Sequence, residues 1–108
     1  MDSVLCAANA SSMQFYFNNE DYGILPDEVK KELKVICVLF CADVGGIIVL
    51  RFTDKHKLEI TVAKPIDEIG AELKIRKMQE EHQAFFAQLE AFSKEYDALR
   101  QQPNSGTL

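Results

Sequence analysis

The chain is poor in the residues that build specialised scaffolds. Its 108 residues include 5 glycines and 3 prolines, too few for a collagen-like or low-complexity protein. Cysteine is scarce and odd in number, with only Cys6, Cys37 and Cys41. That excludes a disulfide framework, and the apolar neighbours of all three predict buried thiols in a reducing cytoplasm. Basic residues are outnumbered by acidic ones, 12 against 17, for a net charge of −5. A broad nucleic-acid surface needs the opposite balance. Long apolar runs are missing too. The longest, 35–42, stops at Asp43 and a glycine pair, short of the roughly 20 residues that cross a bilayer. The opening MDSVLCAANA carries an acid where a secretory signal would carry a base. The expectation is a cytoplasmic protein with neither a membrane nor a nucleic-acid partner.

Catalytic signatures are also missing. There is no nucleophile elbow, phosphate loop, dinucleotide fingerprint or His-Glu-x-x-His, so no catalytic residue, cofactor or metal is assigned. The pair Gly45-Gly46 falls between a helix and a strand, the reverse of a phosphate cradle, and reads as a helix stop. Cys37 and Cys41 would share a helix face, but their spacing is not that of a zinc knuckle and their flanks are apolar.

What is present is an ordinary globular composition, 47% hydrophobic and 27% charged. Residues 4–8 and 13–17 read as strands joined by the turn-prone 9–12, and 18–25 as a loop. Pro26 then opens a helix over 27–44, with Asp27 and Glu28 at the positive end of its dipole. Positions 35–42 are apolar without a break, which predicts a central helix buried on more than one side. A strong hairpin follows, 46–53 and 58–63, through the polar connection 54–57, whose His56 reads as a solvated loop residue.

After Pro65, positions 66–102 hold no proline and one early glycine, predicting one long helix, with 103–108 as a flexible tail. The two helix starts are alike. Residues 27–35 and 67–75 are identical at five of nine positions, with two Val/Ile exchanges. This admits two β-hairpin-plus-helix units, although shared helix-start chemistry explains it as well. The fold class is α+β, ordered ββαββα, with a four-stranded antiparallel sheet and helices on one face. Residues 1–102 form a single domain.

A helix over 66–102 would be roughly 54 Å long, about twice a strand of eight residues. Its far half still carries an apolar seam, Ile75, Met78, His82, Phe85, Leu89, Phe92, Tyr96 and Leu99, with His82 as the polar, register-setting member. Something must cover that stripe: a second copy, the 27–44 helix, or a break near 82–84 that folds the chain back. Residues 80–84 contain no helix breaker and the first helix is only half as long. The favoured reading is therefore a two-fold homodimer, a non-enzymatic binding or adaptor protein that self-associates through Phe85, Leu89, Phe92, Tyr96 and Leu99 and is able to take another protein or peptide. The alternative is a small-ligand binder or enzyme with a pocket near Asn9, Tyr16, Asn18 and Asp43, polar groups that border apolar segments.

The runs Leu5-Cys6-Ala7-Ala8-Asn9, Tyr16-Phe17-Asn18, Leu25-Pro26, Cys37-Val38-Leu39-Phe40, Asp43-Val44-Gly45-Gly46-Ile47 and Asp67-Glu68-Ile69-Gly70 resemble an uncharacterised family of small proteins from anaerobic Gram-positive bacteria. The resemblance extends from the start to about Phe92, and the tail after Leu99 departs from it. It implies a bacterial, cytosolic, single-domain protein of unknown function and transfers no catalytic residue.

Overall fold

The computed structural model describes residues 3–100. The expected tail at 103–108 and the helix end at 101–102 lie outside the described residues. Eight elements follow in order: β1 (Ser3–Asn9), β2 (Gln14–Phe17), α1 (Asn19–Tyr22), α2 (Asp27–Val44), β3 (Ile47–Phe52), β4 (Leu58–Ala63), α3 (Glu68–Glu81) and α4 (Gln83–Arg100). The strands form one antiparallel sheet in the order β2-β1-β3-β4. Each hairpin thus contributes its first strand to the centre and its second to an edge. The α+β class, the four-stranded antiparallel sheet and the long helical C-terminal region agree with the sequence reading.

Strand periodicity sorts the sheet into two faces. Ile48, Leu50 and Phe52 of β3 and Leu58 and Ile60 of β4 are buried, as are Cys6 and Ala8 of β1. A register shift between Val4 and Cys6 makes Leu5 and Cys6 consecutive core residues, both fully buried, as expected where a bulge inserts an extra residue. The opposite face carries Ala7, Tyr16, Val49, Arg51, Glu59 and Thr61, half-buried or exposed.

Helix α2 begins after Pro26, whose carbonyl accepts from Val29 and Lys30. It ends at Gly45 (φ 78°). Gly46 (φ 74°) follows, where a Cβ would collide with the Ala63 carbonyl. Only glycine fits this left-handed, closely approached turn, so the pair is indeed a helix stop. Leu33, Ile36, Cys37, Phe40, Cys41 and Val44 point into the core. The expectation that 35–42 is buried on more than one side is corrected: Val35, Val38, Leu39 and Ala42 are exposed. Among the described residues α2 packs on the sheet and beside α3, and no second layer lies over its outer side.

Two further corrections concern connections. The segment expected to be a loop, 18–25, contains the one-turn helix α1. Asn18 caps it, accepting from the Asp21 N–H at 3.2 Å, and its amide donates to the Val4 carbonyl at 2.8 Å. The single rod expected over 66–102 is divided at His82 (φ −115°, ψ 26°). The bonds His82 N–H to Met78 and Phe86 N–H to His82 survive, at 3.0 and 2.9 Å, so the break is a kink. Its origin is tertiary. Ala71 and Met78 seat α3 beside α2, whereas Phe86 and Leu89 seat α4 over β4, and a straight rod cannot follow both.

Candidate docking surface

The seam that motivated self-association through α4 is covered in part by its own chain. Leu89 is 3% exposed and Phe86 is buried beside it. Tyr22, delivered by α1, lies 6.4 Å from the Phe92 ring, 6.1 Å from Tyr96 and 5.4 Å from Phe52, and Phe92 stacks on Tyr96 at 5.1 Å. Phe85, Phe92 and Tyr96 are half-buried against the core. Of the five residues assigned to a partner, Leu99 alone is exposed.

An uncovered apolar surface lies on α2. Lys31, Val35, Leu39 and Asp43 recur at every fourth residue and so lie in one row on the helix, and all are exposed. Val35 is 53% and Leu39 66% accessible. This row borders a groove of about 360 Å³ between α2 and α3, floored by the buried Ile36, Phe40 and Met78 and rimmed by Lys74 and Lys77. The two helices run antiparallel, since the Ile66 N–H donates to the Val44 carbonyl at 3.0 Å while Glu32 and His82 share the far end of the groove. An ion pair at 3.1 Å joins Lys74 to Asp43 across it. On and before α3, Ile66, Ile69 and Leu73 are exposed as well.

The four residues assigned to a ligand pocket are not gathered in one place. Asn9 and Tyr16 line an open depression on the uncovered sheet face. Asn9 Oδ1 accepts from the Ser11 N–H and hydroxyl, both at 3.0 Å, which shapes the β1–β2 turn. Asn18 is buried and committed to α1 and β1. Asp43 is on α2, where it pairs with Lys74 in the α2–α3 groove.

A second cluster went unseen in the sequence. His56, at φ 62° in the β3–β4 turn, is half-buried, which corrects its reading as a solvated residue. Its Nδ1 lies 3.3 Å from Ser93 Oγ and its Nε2 3.8 Å from Asp97. These are the residue types of a nucleophilic triad, but Ser93 is 5% exposed and the adjoining cavity holds about 70 Å³, far below the 300 Å³ or more typical of a substrate site. The cluster clamps the hairpin to α4. The Glu90 carboxylate supports it by accepting the Leu58 N–H at 2.7 Å.

The thiols face one another inside the core. Cys6 Sγ lies 3.7 Å from Cys37 Sγ, and this hydrogen bond, followed by burial, holds the Cys6 thiol well above its ordinary range. Cys41 donates to the Gly46 carbonyl at 3.1 Å. Among the described residues no three His, Cys, Asp or Glu side chains are grouped to hold a metal, and no helix is long and apolar enough to cross a membrane.

A model described as a family of unknown function, DUF6145, matches residues 2–102. No curated protein and no solved structure matches the chain.

Proposed function

The chain belongs to this family of unknown function, and from that premise we propose that it is a non-enzymatic binding protein of a bacterial cytoplasm that works as a homodimer. One observation carries the reading: Val35 and Leu39, large apolar side chains at the middle of α2, stand in water beside an apolar-floored groove. Burying such a side chain is worth about 1.5–3 kcal/mol, so this surface favours any partner that covers it. Three reduced, buried cysteines support the reducing compartment. The uncovered sheet face, with Tyr16 at its edge, leaves room for another protein or peptide and gives the module an adaptor's two sides.

Sedimentation velocity or light scattering over a micromolar concentration series tests the reading. The expected result is a reversible monomer–dimer equilibrium, because each chain already closes its own core. A monomer throughout the series overturns it.

A further inference from the structure

Resting on that homodimer, we infer that its interface is α2 packed antiparallel against α2 of a second copy, with the Val35–Leu39 ridge of each chain seated in the α2–α3 groove of the other. A two-fold contact uses the same patch twice, so the patch must be complementary to itself. This one carries a ridge and a groove side by side, which is the arrangement helices use when they interlock. Val35 and Leu39 form the ridge, and Ile36, Phe40 and Met78 floor the groove.

The charges along the ridge fix the direction. Reading along the row, Lys31 stands at one end, Val35 and Leu39 in the middle, and Asp43 at the other end. A two-fold axis near position 37 sets Val35 opposite Leu39 of the second copy and Lys31 opposite its Asp43. Parallel pairing would instead set Lys31 against Lys31 and Asp43 against Asp43. The ion pair of Asp43 with Lys74 is exposed, at 59% and 46% of the side chains, so the carboxylate has room for a second cation. The opposite ends of the row therefore attract in the antiparallel arrangement and repel in the other. A standard interface needs about 800 Å² from each partner. Helices α2 and α3 are roughly 27 and 21 Å long, and the exposed Leu73 and Ile69 of α3 add apolar surface to that of Val35 and Leu39. On α4 the stripe is in part taken up by the chain itself, with Leu89 buried and Tyr22 against Phe92 and Tyr96.

Charge reversal gives a test that separates this interface from dimerisation as such. Lys31→Glu and Asp43→Lys chains, each checked for native circular dichroism, are measured by sedimentation velocity alone and in equimolar mixture. Alone, each sets two like-charge contacts across the axis and dissociates about tenfold more readily or worse. In the mixture every contact joins opposite charges, so the heterodimer forms with an affinity near that of the unaltered chain. Leu39→Glu, which puts a carboxylate on each side of the axis, abolishes the dimer. A dimer that persists through Leu39→Glu, or a mixture no tighter than its components, overturns this interface while leaving self-association standing. A monomeric unaltered chain defeats both.

Discussion

Leu89 on α4 and Leu39 on α2 each sit at the centre of a helical apolar stripe, yet one is 3% and the other 66% exposed. The stripes do not differ in kind. What differs is the company each helix keeps. Beneath α4 lie β4 and the Tyr22 ring that α1 holds in place, so its stripe is an inner surface. Among the described residues no helix lies over the outer side of α2, whose Val35 and Leu39 are exposed. An apolar stripe thus announces a demand for cover, and the topology alone says whether the chain meets it.

Substitution at the two leucines is the sharpest way to break the comparison. Leu89→Ala leaves a cavity in a packed core and should lower unfolding free energy by about 2–5 kcal/mol in urea titrations. If it does not, the burial of the α4 stripe is not what closes the core.

The inner side of α2 carries a pH dependence. The raised thiol of Cys6, against Cys37 on the inner face, keeps its proton in the folded chain after the unfolded chain has begun to ionise. Its contribution is whole below the ordinary thiol value of 9.0 and is lost as pH rises beyond it, with a slope of about 1.4 kcal/mol per pH unit for one proton. Cys6→Ala should remove that slope, whatever it does to stability at neutral pH. An unchanged slope would assign the alkaline loss to other groups.

Cover on α4 depends on α1, so weakening its cap should loosen the stripe without a direct cut. Asn18→Ala removes the bonds to Asp21 and Val4 and should cost about 1–2 kcal/mol in thermal or urea unfolding. Fluorescence or NMR at Tyr22, Phe92 and Tyr96 should report the loosening first. The smallest effect falls on the ridge itself. In dilute, monomeric protein Leu39→Ser should move stability by no more than about 0.5 kcal/mol while weakening association at higher concentration. A large loss in the monomer would place Leu39 inside the core and end the distinction.

Much of the architecture could be read from residue order. Asp27–Val44 and Leu58–Ala63 have the limits that Pro26, Gly45 and the two-residue alternation predict. Helix α1 was not legible, since four residues are too few to show a period. The kink at His82 was not legible either, because 80–84 contains no breaker and its cause lies in what α3 and α4 each pack against. Of the surface on α2, the apolar residues 35, 38, 39 and 42 were visible but were assigned to the interior, since an unbroken apolar run looks the same beneath one layer or between two. The proposed pocket residues failed to gather for a related reason: polarity beside an apolar segment does not say which face of the sheet, or which helix, a side chain shares.

The sequence by itself determined the local geometry of this protein: hairpins from strand formers and turns, helices bounded by proline and glycine, thiols among apolar neighbours. Those choices are made within a few residues, where backbone sterics and hydrogen bonding dominate. The tertiary structure decided which apolar stripe is satisfied and which is left over, because burial depends on elements distant in the chain meeting in space. Tyr22 reaching Phe92 and Tyr96 shelters one stripe, and no described helix lies above Val35 and Leu39 on the other.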